Sequence, residues 1–279
     1  FALVAAAIVG FVFLLMELVW YRMLSPLLGG TTFTFGLILA FALLGIGVGG
    51  LAYALGNRGR VSTRYAFAVT CGLEALFVAI PYALGDRIAV FAYFCRVFGA
   101  FGFEGYVFSW SVVTALLVFV PTSIAGYQFP LLISLLGKGR TRVGSDVGRT
   151  YAWNTAGAIA GSIAGGFGLI PALSAEGTWR VSVVALVVLS IWAAIDSVSR
   201  EQHRRAIPLV FGIAALSIGS MLATGPTVAW RHSPIGAGRA SITPMDPNGI
   251  RDWLEARRRT VAWDADGVES SIALQADDG

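Results

Sequence analysis

The sequence predicts an all-α polytopic membrane helix bundle of about seven spans, followed by a short β-hairpin that begins a soluble domain. Three observations carry this. Of 279 residues, 56% are hydrophobic and only 13% charged, with a mean hydropathy of +0.74, against roughly 25% charged in an average soluble domain. Apolar runs long enough to cross a hydrocarbon core of about 30 Å recur along residues 1–223. Eight of the sixteen Asp and Glu lie from Asp246 onward, so the chain changes character near its end. This composition excludes a soluble enzyme, a disordered chain and a collagen, since the 34 glycines follow no triplet period and sit inside apolar runs.

By length and apolarity, spans are expected at 1–20, 33–55, 65–84, 107–136, 151–173, 179–195 and 207–223. The fourth is long and contains Pro121 and Pro130, which predicts a kink or a continuation past the bilayer. Residues 88–103 are short with Arg96 central, which reads as an interfacial or re-entrant segment. Loop charges set the orientation. Arg58, Arg60, Arg64, Lys138, Arg140, Arg142, Arg149, Arg200, Arg204 and Arg205 fall in alternate loops, expected to be cytoplasmic, while the opposite loops hold only Arg22, Arg87, Arg96 and Arg180. Membrane topology therefore accounts for the formal charge of +4, and no nucleic-acid partner is expected.

Gly45 and Gly49 in the second span, and Gly157, Gly161 and Gly165 in the fifth, stand at spacings that let helix backbones approach, which predicts helix packing rather than a substrate path. Residues 1–224 thus form the helical domain, and 225–259 a linker punctuated by Pro226, Pro234, Pro244 and Pro247. The linker holds a short amphipathic helix over 249–259, begun near Asn248. Residues 260–279 read as strands at 260–264 and 268–275 joined through Ala265-Asp266-Gly267, with Val268, Ser270, Ile272 and Leu274 on one face. A start inside an apolar run and a stop at Asp277-Asp278-Gly279 read as truncation of the first span and of the hairpin's domain.

Ionisable groups inside a membrane ask for a partner or a function. Glu17 lies near the end of the first span, where pairing with Arg22 or snorkelling to the interface would satisfy it. Glu74 lies about halfway along the third span, where two readings stay open, a buried structural pair and a proton or polyamine site. Gln128 and Asn154 read as interhelical hydrogen-bonding groups. Cys71 and Cys95 form neither a disulfide framework nor a metal cluster and read as packing residues. His203 and His232 lie far from any nucleophile motif and are expected to face solvent. No catalytic constellation and no metal site is expected, and Gly45-Ile46-Gly47-Val48-Gly49-Gly50 lacks the strand-to-helix setting of a nucleotide loop.

Several stretches carry a resemblance. Met16-Glu17-Leu18-Val19-Trp20-Tyr21-Arg22-Met23-Leu24, the Gly-rich second span, Gly126-Tyr127-Gln128-Phe129-Pro130-Leu131-Leu132 and Tyr151-Ala152-Trp153-Asn154-Thr155-Ala156-Gly157-Ala158 resemble the membrane part of membrane-fused spermidine synthase-like proteins, a transporter-like helical region followed by an aminopropyltransferase domain. The segments at 230–238 and 261–271 resemble the linker and first hairpin entering that domain. The resemblance implies aminopropyl transfer from decarboxylated S-adenosylmethionine, as co-substrate, to a putrescine-like polyamine. It carries no catalytic residue or cofactor site onto these positions, so the chain as it stands is not expected to be active. It also implies a multi-pass protein of the bacterial cytoplasmic (inner) membrane with the lipid bilayer as its partner. The competing readings are a polyamine or other cation transporter using Glu17 and Glu74, and a purely structural membrane anchor. Seven spans set the tail opposite the basic loops, at odds with substrates made in the cytoplasm, so two readings stay open: one span is miscounted, 88–103 or 207–223, or the domain does not carry out cytosolic polyamine synthesis.

Overall fold

In the computed structural model, residues 1–56, 62–137, 143–201, 206–233, 242 and 246–276 are described. Arg58, Arg60, Lys138, Arg140, Arg142, Arg204, Arg205, His203, Pro234, Pro244 and the final Asp277-Asp278-Gly279 lie outside the described residues, as do the side chains of Arg200 and Glu201.

Helices dominate because an apolar segment removed from water must satisfy its backbone groups within itself. They are α1 (Ala2–Leu28), α2 (Thr32–Gly56), α3 (Arg64–Leu84), α4 (Asp86–Cys95), α5 (Phe103–Leu136), α6 (Val143–Ala164), α7 (Ile170–Glu201), α8 (Ala206–Met221), α9 (Val228–Arg231) and α10 (Pro247–Thr260). A 3₁₀ turn, Arg96–Phe101, follows α4, and a π turn, Gly165–Leu169, joins α6 to α7. Thr63 caps α3 by accepting from the Ala66 amide at 3.1 Å. Helix α5 runs unbroken through Pro121 and Pro130 and is about 51 Å long, longer than a bilayer core needs.

Among the described residues, five stretches are long and apolar enough to cross a membrane: Ala2–Leu28, Thr32–Gly56, Arg64–Leu84, Phe103–Leu136 and Val143–Ser199. The last spans 57 residues but does not run straight. At Ser174 the backbone leaves the helix, with φ 65° and ψ 169°, and the chain doubles back. Asn154 meets Ala6 and Gly165 meets Leu15 and Leu18, so α6 runs parallel to α1. Trp179 bonds the Val78 carbonyl and Ser190 the Ala68 carbonyl, so α7 runs antiparallel to α3. The same reading of contacts sets α1, α3, α6 and α8 in one direction and α2, α5 and α7 in the other. The expected fifth and sixth segments are thus the limbs on either side of Ser174, and α8 is a shorter apolar helix. Residues 88–103 form the short α4 and the 3₁₀ turn rather than a long apolar helix.

Small residues decide which helices touch. A Cβ on Gly45 would lie 2.1 Å from Thr122 Oγ1, and one on Gly49 1.9 Å from the Ser123 carbonyl, so α2 lies against α5. A Cβ on Gly157 would lie 1.9 Å from the Ala7 carbonyl, one on Gly161 2.2 Å from that of Phe11, and one on Gly165 2.7 Å from Leu15, so α6 lies against α1. Helix α2 buries only Thr34, Ile38, Ala42, Gly45 and Gly49. The rest of its circumference is exposed and apolar, including Leu43, Leu51 and Leu55, as a helix surrounded by hydrocarbon would be.

The core ends in an aromatic plug. Trp230 of α9 enters the bundle, donates to the Met23 carbonyl at 2.7 Å and meets Trp179 edge-on at 6.5 Å, while Trp179 meets Tyr82 at 5.7 Å. The hairpin pairs β1 (Val261–Asp266) with β2 (Ser271–Gln275), antiparallel, with Trp263 opposite Leu274 and Asp266 opposite Ser271. These bounds move the expected turn to 267–270, and Asp246, not Asn248, caps α10 by accepting from Gly249 N at 2.7 Å.

Candidate functional site

Two polar assemblies stand out, one inside the bundle and one at its hairpin end. Glu74 on α3 and Gln128 on α5 are both buried, and the Gln128 Nε2 donates to Glu74 Oε2 at 2.7 Å. The Gln128 Oε1 is buried without a hydrogen-bond partner among the described residues. A carboxylate and an unused carbonyl thus face one another's neighbourhood, a donor set that can take a proton or a small cation. The sequence marks both residues but carries no signal that they meet, because they belong to different helices 54 positions apart.

The other expected sites fall elsewhere. Asn154 Nδ2 donates to the Ala6 carbonyl at 3.1 Å, tying α6 to α1. Cys71 and Cys95 are buried thiols, and no group of three or more His, Cys, Asp and Glu is placed to hold a metal among the described residues. Glu17 is half-buried, and its expected pairing with Arg22 does not form. Arg22 instead reaches out of α1 and donates from Nη2 to the carbonyls of Gly267 at 3.0 Å and Val268 at 2.9 Å, holding the hairpin turn.

That contact belongs to a clamp the sequence did not reveal. The break at Ser174 frees the amide of Ala175, which donates to Asp266 Oδ2 at 2.7 Å. Arg231, at the end of α9, bonds the same oxygen at 3.0 Å, Asp264 Oδ2 at 2.7 Å and Glu176 Oε1 at 3.1 Å. The Ser271 hydroxyl donates to the other Asp266 oxygen. Side chains of Asp266 and Arg231 are only 1% and 10% exposed, so the charges are desolvated and every partner counts. Burial by itself would raise the Asp266 carboxyl, but the Ser271 hydroxyl, the Ala175 amide, Arg231 and Arg22 together hold it below its usual value.

His232, expected in solvent, is half-buried instead, with its ring covered and 3.3 Å from Asp264 Oδ2. Burial and the Arg231 charge lower its pKa despite that carboxylate. Across the same end, Asp86 at the start of α4 accepts from Thr227 N at 2.8 Å, from Thr227 Oγ1 at 2.5 Å and from Arg258 Nη2 at 2.8 Å, joining α4, the linker and α10.

The face of the hairpin turned to the bundle is therefore the polar one, carrying Asp264, Asp266, Ser271 and Ala273. Trp263, Ile272 and Leu274 point away and are more than half exposed. No family model, curated protein or solved structure matches this chain.

Proposed function

We propose that this chain is the membrane portion of a spermidine synthase-like protein, in which seven crossings, α1, α2, α3, α5, α6, α7 and α8, carry and orient an aminopropyltransferase domain entered through the hairpin. The observation that supports it best is the two-faced hairpin. One face is locked onto the bundle by Arg22, Ala175 and Arg231. The other offers Trp263, Ile272 and Leu274 as the floor of a further layer. In the proposed reaction a neutral amine of putrescine attacks the carbon beside the sulfonium of decarboxylated S-adenosylmethionine, the C–N bond forms as the C–S bond breaks, and a carboxylate takes the amine proton. No residue of this chain is assigned to that chemistry.

With seven crossings, the hairpin lies at the end opposite Arg64 and Arg149, described residues of the basic loops. With those loops cytoplasmic in a bacterial inner membrane, transfer takes place on the other side. The test is aminopropyl transfer by the natural full-length protein in sealed vesicles of both orientations. Product formed only where the hairpin side faces the added substrates is expected, and no transfer to putrescine in either orientation overturns the reading.

The unused Gln128 Oε1 beside Glu74 favours a second reading, cation movement through the bundle. It predicts uptake of labelled polyamine into proteoliposomes, abolished by Glu74→Gln. Absence of uptake by the unaltered protein leaves the bundle a structural anchor.

A further inference from the structure

At the hairpin end, a cavity of about 780 Å³ opens between the α3–α4 corner, the chain after α8 and one side of α10. Its volume is that of a small-molecule site. Leu84, Val90 and Leu254 give it apolar walls. Gly85 and Gly225 close its floor, since a Cβ on Gly85, whose φ is 51°, would lie 2.5 Å from the Gly225 carbonyl.

The described arginines of this end are nearly all engaged by protein groups. Arg22 holds the hairpin turn and Arg231 sits in the clamp. Arg96 lies over Tyr93 and Arg180 over Tyr82. On α10, Arg257 lies over Trp253, Arg258 pairs with Asp86 and Arg259 pairs with Glu255. Among the described residues, Arg87 and Arg251 have neither an ion pair nor a hydrogen bond nor a ring, and both line this one cavity. The two carboxylates that also line it, Asp86 and Glu255, are those already neutralised by Arg258 and Arg259.

We propose that Arg87 and Arg251 hold the phosphate headgroup of an anionic phospholipid, whose acyl chains descend past Leu84 and Val90 into the bilayer. The position fits a lipid better than a dissolved anion. The cavity lies where the apolar helices α3 and α8 end, and Arg87 and Arg251 line it together with Leu84, Val90 and Leu254. Unpaired basic groups at such a level attract anionic headgroups, and Arg binds phosphate through a planar fork of donors. The inference rests on the membrane reading and is independent of aminopropyl transfer.

The experiment is native mass spectrometry of the purified protein, released from membranes by detergent, with phosphatidylglycerol, phosphatidylcholine or soluble glycerol phosphate added. Retention of phosphatidylglycerol over phosphatidylcholine is expected, falling roughly five-fold for each arginine removed in Arg87→Gln and Arg251→Gln. Arg149→Gln, on α6 at the opposite end, leaves the preference unchanged. Equal retention of the two lipids, or an unchanged preference in the double variant, overturns the proposal. Saturable binding of glycerol phosphate that displaces the lipid overturns the lipid assignment. Release of the protein from membranes by alkaline carbonate without detergent would instead defeat the membrane reading itself, so the two failures are told apart.

Discussion

Asp266 takes bonds from a helix break, a linker arginine and its own hairpin, so its loss reaches all three. Removing one partner of a desolvated charge pair is costly, and Asp266→Ala is expected to weaken hairpin docking by about 3 kcal/mol. Amide hydrogen exchange in β1 and β2 reads this, with the exposed Glu269→Ala as a neutral comparison. Acid acts on the same residues. The Asp266 carboxyl is held below its usual value, so its stabilisation is complete above pH of about 4 and is lost as pH falls below that. The His232 pKa is also lowered, so the neutral ring favours the docked state above pH of about 6.5, and that contribution disappears as pH drops through the lowered value. Protection of the hairpin amides is expected to fall in two stages on acidification, the earlier one absent in His232→Gln. Inside the bundle, Glu74→Leu leaves the Gln128 amide without its acceptor at 2.7 Å and is expected to cost about 1–3 kcal/mol, read by thermal unfolding in detergent, while Glu74→Gln keeps an acceptor and costs less. The sequence exposes such residues one by one, because a carboxylate in an apolar run is conspicuous. Their partners stay hidden: nothing local to Arg22 says that it serves the Gly267 carbonyl 245 positions later.

Elements were more legible than sites. A run of apolar residues specifies a helix whatever its neighbours are, and the alternation around residues 261–275 specifies a hairpin. Less visible was the orientation of that hairpin. An alternating strand ordinarily turns its apolar face to the nearest core, whereas here the buried ion pairs to Arg231 turn the polar face inward. Nor did the sequence mark Ser174, because its break is held by what surrounds it, including the Ala175 amide bonded to Asp266. The glycine seams were readable, since spacing alone puts Gly157 and Gly161 on one face. Gly157→Leu drives a side chain into the Ala7 carbonyl, and separation of α6 from α1 with a loss of about 1–3 kcal/mol is expected. Gly148→Ala, in the same helix and meeting nothing within 4 Å, is expected to raise stability by up to about 1 kcal/mol in the same unfolding measurement.

For the molecule as a whole, direction alternates along the chain, so the hairpin and α10 share one end while Arg64 and Arg149 mark the other. Single cysteines placed at Arg149 and at Arg251, in a variant lacking Cys71 and Cys95, are expected to react with an impermeant thiol reagent from opposite sides of sealed vesicles. Reaction from the same side would remove one crossing from the count. The clamp also bears on how the chain is made. Arg22 is synthesised 245 residues before Gly267, and Ala175 91 residues before Asp266, so the hairpin meets its partners only after every apolar helix has emerged. If these helices cross a membrane, a chain with one helix between Arg22 and Ala175 threaded the wrong way would present the two on different sides, and the hairpin would find at most one of them. In the membrane reading, the hairpin therefore inspects the insertion of the helices made before it, because it locks only where Arg22 and Ala175 have come to the same side.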